Sequence, residues 1–338
     1  MTRSIVGLAL GLGLAGLLLS AAPCRAAGLS FIQVPLPGAA SMAGAVWSPC
    51  AMPPGEVPIG GGQTLPGTKD CPIKGDHLPL IVISHGFGGW FGGHHDTAEA
   101  LADAGFIVAA INHPGDSGRS PDPSRKYTLA AITDRPADIK RLIDYMLGAW
   151  PQAAKIDPDR IGFFGFSRGG FTGLALIGGD VDWRAALPRL CPPESTIPAC
   201  VEARKQGLAT APIPDVQLAH DARVKAAVIA DPFLGAYFMP DSLKTVRAPV
   251  QLWASQFGGD GVHPDDSVTA AGNLPGSPVV HQVPDSAHFA FLAPCTPVQA
   301  RVVPQFCTDP AGFDRAAFHA RFDAQIVAFM RAHLVSHL

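Results

Sequence analysis

The sequence predicts an α/β fold: a mostly parallel central sheet flanked by helices, in one domain with a small insertion. Three observations lead there. Short apolar runs recur without polar alternation, as in strands buried on both faces of a sheet. Stretches of helical period separate them. Regular alternation of the two implies parallel pairing through right-handed crossovers. The chain has 338 residues, 47% hydrophobic and 16% charged, which suits one large core with decorations.

The elements follow in order. Residues 1–27 begin Met-Thr-Arg, continue through an apolar stretch at 5–19 and end in small residues. That is the pattern of a secretory signal peptide, cleaved near Ala26 or Ala27. The apolar stretch is short for a membrane span. Pro23, directly before Cys24, argues against lipid attachment there. The domain then occupies 28–338, with no other segment apolar enough to span a membrane.

Residues 28–77 are rich in Pro and Gly; 31–36 and 43–47 are expected as edge strands and 52–69 as loop. Strands are expected at 78–84, 106–112, 160–166, 224–230, 249–254 and 279–283. Helices are expected at 95–104, 129–147, 169–177 and 313–334. In the second, Ile139, Leu142, Ile143 and Met146 form a helical stripe; in the last, Phe318, Phe322, Ile326 and Phe329 do. Residues 181–221 break the alternation with Pro, Cys and charge and read as an insertion.

Net charge is -3, and no run of Lys and Arg forms a patch, which argues against a nucleic-acid partner. Loss of the signal leaves Cys50, Cys71, Cys191, Cys200, Cys295 and Cys307. An even count in an exported chain suggests disulfides, and neighbours in sequence suggest Cys50–Cys71, Cys191–Cys200 and Cys295–Cys307. The chain has no CxxC, so no zinc site is expected.

The chemistry centres on Gly165-Phe166-Ser167-Arg168-Gly169, a G-x-S-x-G pattern between an apolar strand and an apolar helix. The chain must turn sharply there and leave Ser167 exposed at the apex. The following helix aims its N-terminal partial positive charge and free N–H groups at that apex, which suits a developing oxyanion. The competing reading is a packing turn.

His85-Gly86-Phe87-Gly88-Gly89 ends an earlier strand. Its glycines let backbone N–H groups approach a bound carbonyl. The oxyanion donors are expected to be the N–H groups of Phe87 and Arg168, with His85 holding the loop. Ser286-Ala287-His288-Phe289 lies between the last strand and the last helix, placing His288 as the base for Ser167. A hydroxyl needs such a base at neutral pH. His281, inside a strand, is the weaker rival.

His94-His95-Asp96 could bind a metal, but Asp96 as helix N-cap is the preferred reading. Trp90, Phe91, Phe233 and Phe238 wall an acyl pocket or simply pack. Arg168 attracts anionic substrate or, by preference, faces solvent.

At HGFGG, HHDTAEALADAGFIVAAINHPGDSG, DRIGFFGFSRGG, VPDSAHFAFLAPC and GFDRAAFHARF, the chain resembles the α/β-hydrolase superfamily. More narrowly it resembles platelet-activating-factor acetylhydrolases and dienelactone-hydrolase-like esterases, over 78–334. The resemblance implies the α/β-hydrolase fold and the chain order Ser, acid, His. In such acetylhydrolases the acid ends the strand after the nucleophile helix, which maps to Asp231. In the dienelactone-hydrolase-like relatives it follows the next strand in a D-x-V-x-P context. Asp260-Gly261-Val262-His263-Pro264 matches that context, so Asp260 is the expected acid and Asp231 the alternative. True dienelactone hydrolases use Cys as nucleophile, so Ser167 argues against that activity.

The reading is an exported serine hydrolase, periplasmic or extracellular, cleaving carboxylic esters through an acyl-enzyme. It needs no cofactor and no metal. Its partner is a small-molecule or lipid-like ester; the sequence sets no oligomeric state. The alternatives are an amidase or peptidase on the same triad, and a non-catalytic binding protein on the same scaffold.

Overall fold

The computed structural model describes residues 27–60, 62–120, 122, 125–207, 210 and 216–335. The signal-peptide expectation lies almost wholly outside them. Among the described residues ten strands form one sheet: β1 Gly28–Val34, β2 Met42–Ser48, β3 Gly55–Gly60, β4 Gln63–Lys69, β5 Leu78–Ser84, β6 Ile107–Ile111, β7 Ile156–Phe166, β8 Val224–Ala230, β9 Val250–Ser255 and β10 Val280–Val283. Their spatial order is β10-β9-β8-β7-β5-β6-β2-β1-β4-β3. From β6 to β10 every pairing is parallel. Together with its helical flanks, this is the α/β-hydrolase fold.

The helices among the described residues are α1 His95–Asp103, α2 Ala130–Thr133, α3 Arg135–Leu147, α4 Arg168–Leu176, α5 Trp183–Leu190, α6 Pro198–Lys205, α7 Pro240–Leu243, α8 Pro264–Asn273, α9 Pro297–Val302, α10 Pro304–Cys307 and α11 Arg315–Leu334. Two cores form because successive strand side chains point to opposite faces. On one face Val82, Phe163 and Ile229 pack with Leu142 and Ile143 of α3 and with Phe171 and Leu174 of α4. On the other, Ile83, Phe164 and Val228 pack with Leu101 of α1 and Phe322, Ile326 and Met330 of α11.

The N-terminal region differs from expectation. β1 and β2 are interior strands, because the 52–69 segment is a hairpin, β3–β4, and β4 pairs with β1 at the sheet edge. Its strands bury Val57, Leu65 and Gly67 against largely exposed neighbours, so little apolar pattern marks it. On α11 the fully buried stripe runs Phe318, Phe322, Ile326, Met330, Leu334, and Phe329 packs against the same core at its margin. The expected helix at 129–147 breaks at Asp134 into α2 and α3, with Pro136 in the first turn of the second. Within 181–221 the described residues hold α5 and α6, joined by Cys191–Cys200. Cys50–Cys71 and Cys295–Cys307 also form. No helix among the described residues is long and apolar enough to cross a membrane.

Candidate active site

Ser167 stands between β7 and α4 with φ 59° and ψ -118°. A residue with a side chain is strained there, and such strain persists only where the surroundings fix it. Here they do. The Ser167 N–H donates to the Ala230 carbonyl, and the Ser167 carbonyl accepts from Phe171 and Phe233 N–H groups, each at 3.0 Å. The flanking glycines are steric requirements: a Cβ at Gly169 would run into the Ser84 carbonyl, and one at Gly165 into that of Gly169.

His288 opens a short 3-10 turn after β10. Its Nδ1 is 3.0 Å from Oδ2 of Asp231, and both side chains are buried. Asp231 follows β8, with φ 42°. Burying a carboxylate is costly unless its oxygens are satisfied. Oδ1 accepts from the Ser255 N–H at 2.7 Å and Oδ2 from the Ser255 hydroxyl at 2.5 Å. Nε2 of His288, on the far side of the ring, is buried without a hydrogen-bond partner among the described residues. The ring stacks on Phe166, the neighbour of Ser167, at 4.5 Å. Ser167 and His288 line one pocket of about 180 Å³.

The structure thus brings Asp231 to His288, in place of the favoured Asp260. Asp260 is exposed and lies in the turn where Gly259 and Val262 exchange backbone hydrogen bonds, at the pocket rim. The turn serves His288 differently: the Gly258 carbonyl accepts the His288 N–H at 2.8 Å. His281 sits away from the pocket, its ring stacked on Trp253 at 4.6 Å.

Gly86 to Gly89 form a tight turn closed by Gly89 N–H to Gly86 carbonyl at 3.1 Å. Among the described residues the Phe87 N–H makes no hydrogen bond. The loop abuts the apex, since a Cβ at Gly86 would stand 3.2 Å from that of Ser167. Arg168 begins α4, where first-turn N–H groups have no intrahelical partner. Both proposed donors therefore border the apex. His85 holds the loop: its Nδ1 donates to the Gly86 carbonyl at 2.7 Å, and its Nε2 accepts the His113 N–H at 3.2 Å.

The side chain of Arg168 is mostly turned from solvent, 13% exposed, and does not line the Ser167 pocket. It pairs with Asp116 at 3.0 Å and its guanidinium lies 4.3 Å from the centre of the Phe87 ring. Asp116 also accepts the Gly88 N–H at 3.0 Å and pairs with buried Arg135 at 2.7 Å. Arg135 further donates to the Ser84 and Thr172 hydroxyls and to the His85 carbonyl. Beside it, His113 bridges Ser84 (2.9 Å) and Asp138 (3.0 Å). Burial, and secondarily the Arg135 charge, hold the imidazoles of His85 and His113 well below the usual histidine range. Burial pushes the Asp138 carboxyl up to about 6.

Sequence reading missed this layer. The available signal was Arg135 itself, four residues before Ile139 on the apolar stripe of α3, because a buried guanidinium demands partners. Asp96 was expected to cap α1, but the cap position is His94; Asp96 lies in the first turn and contacts His319 of α11 at 2.6 Å.

Pocket walls come from Phe87, Trp90, Phe289, Leu292, Val303 and Phe306. Phe289 meets Phe306 edge-on at 5.0 Å, and Cys295–Cys307 ties the α9–α10 segment into that wall. Phe238 packs away from the pocket against Phe171, and Phe91 packs on Phe31.

The chain is similar to known proteins in the same region. The family described as "Serine aminopeptidase, S33" matches residues 75–188. The putative esterase NocK of Nocardia uniformis subsp. tsuyamanensis is 30% identical over 163 residues, 47% of this chain and 44% of that protein. The platelet-activating factor acetylhydrolase of Canis lupus familiaris is 27% identical over 169 residues, 38% of each chain. The matches thus span less than half the length of these curated relatives. A ferulic acid esterase from Streptomyces cinnamoneus shares the fold, with TM-score 0.61 and 19% identity over 93% of this chain and 92% of that one.

Proposed function

We propose that this chain is a serine hydrolase of carboxylic esters, working through an acyl-enzyme and exported to the periplasm or the extracellular space. One observation carries the reading: the strained Ser167 apex shares an apolar pocket with a buried imidazole already paired to a carboxylate on its far nitrogen. Asp231 holds the His288 Nδ1–H and so leaves the Nε2 lone pair toward the pocket. Nε2 takes the Ser167 proton as the hydroxyl oxygen attacks the ester carbonyl. The N–H groups of Phe87 and Arg168 receive the oxyanion, each worth about 3 kcal/mol of barrier. His288 returns the proton to the leaving alcohol, and a water deacylates Ser167 by the same route.

The names of the matched relatives favour esters, and apolar walls suit a small apolar acyl group. The family description favours amides as a second reading. Matched p-nitrophenyl ester and p-nitroanilide substrates separate them: the account expects the ester to turn over far faster. It also expects Ser167→Ala to fold normally and lose roughly 10⁶-fold in kcat. Retained ester hydrolysis in that variant contradicts the assignment. Three disulfides support export, as does the signal-like N-terminus.

A further inference from the structure

We propose that Asp96, His319 and Asp323 form a binding site for one divalent ion of the Zn²⁺ or Mn²⁺ class, joining α1 to α11. One ligand atom from each lies within 4.8 Å of the others. His319 is buried on α11, and its Nε2 donates to the Ala290 carbonyl at 2.8 Å. That bond fixes the proton on Nε2 and leaves a lone pair on Nδ1. Metal-binding imidazoles are held in this manner, with the non-ligating N–H tied to a carbonyl. Asp323 is positioned likewise, because the Thr97 hydroxyl donates to its Oδ1 at 2.7 Å.

Apart from the close Asp96–His319 ion pair, the Asp96 oxygens and His319 Nδ1 have no partner among the described residues. Nδ1 of His319 stands 2.6 Å from Oδ2 of Asp96, yet off the line a hydrogen bond requires. It and both Asp96 oxygens are buried with no hydrogen-bond partner among the described residues. Buried polar atoms without well-formed hydrogen bonds are costly, and an ion at the point where one atom each of Asp96, His319 and Asp323 converges would satisfy them. Among the described residues no Lys or Arg pairs with either carboxylate. A second buried imidazole, His94, lies two positions before Asp96 with both ring nitrogens unpartnered among the described residues.

One imidazole nitrogen with two carboxylates suits Zn²⁺ or Mn²⁺. Ca²⁺ takes six to eight oxygens. The local trio His94-His95-Asp96 is not the ligand set, since the His95 ring pairs with Glu99 at 2.9 Å. Two of the ligands come from α11, more than two hundred positions along the chain, which no local spacing reveals. Ala290 sits in the same 3-10 turn as His288, so an ion here braces that turn from behind.

The test is metal content, which does not depend on the hydrolytic reading. The purified full chain is stripped with EDTA, equilibrated separately with ZnCl₂, MnCl₂ or CaCl₂, desalted and analysed by elemental mass spectrometry and thermal unfolding. The proposal expects one equivalent of Zn²⁺ or Mn²⁺ retained, with Tm raised by about 5 °C at saturation, and no such response to Ca²⁺. Asp323→Asn keeps an acceptor for Thr97 and should fold, yet lose both the ion and the shift; His319→Gln should do the same. Retention of no ion by the unsubstituted chain overturns the proposal and leaves a shared-proton Asp–His pair. Retention unchanged in either folded variant overturns it as well.

Discussion

Asp231 and Asp260 both follow apolar strands in left-handed backbone, with φ of 42° and 51°. Sequence could not separate them, because each lies after a strand whose end the fold brings toward the same edge. What separates them is three-dimensional: Ser255, at the end of β9, supplies two donors to Asp231. Asp260 remains exposed in its turn. The account therefore expects Asp231→Asn to lower kcat by about 10⁴-fold, since the amide no longer fixes the imidazole tautomer. Asp260→Asn should keep kcat close to that of the unsubstituted chain. Steady-state kinetics on one p-nitrophenyl ester decides, and the reverse order of losses would return the role to Asp260. Ser167 and His288 were legible as candidates because their signals are local: a turn with two obligatory glycines, and a His on the loop between the last strand and the last helix.

At the scale of elements, Asp116 is the joint between the Gly86–Gly89 loop, proposed to receive the oxyanion, α3 and α4. It accepts from Gly88, Arg135 and Arg168 while wholly buried. Removing one partner of a buried ion pair strands the other charge, at a cost of about 3–5 kcal/mol. Asp116→Ala should therefore lose stability of that order in urea unfolding, and show reduced kcat from a loosened Phe87 loop. A loss under about 1 kcal/mol would show that the clamp is not structural. The strands from β5 to β9 and the helices α1, α3, α4 and α11 were legible because each carries a mostly apolar run or stripe; β10, with His281 and Gln282 inside it, followed from its place in the alternation. The β3–β4 hairpin was not: Pro58 and Pro66 lie within it, and it buries few side chains. The Arg135 layer and the α1–α11 cluster were also hidden, since their partners meet only in the folded chain.

Across the whole molecule, the proposed machinery gathers at one edge of the parallel sheet. β5 ends in the oxyanion loop, β7 in the nucleophile turn, β8 in Asp231, and the turn after β10 presents His288. Parallel strands make this convergence possible because their C-terminal ends lie side by side. Alternation along the chain foretold the parallel sheet, but not which strand ends would meet.

Convergence has a direct chemical readout. A fluorophosphonate reagent reacts only with a serine whose proton an adjacent base removes. Intact-mass and peptide mapping after labelling should show a single adduct on Ser167, absent in Ser167→Ala and greatly slowed in His288→Ala. A folded chain that takes no adduct, or takes it on another residue at the same rate in both variants, would contradict the account.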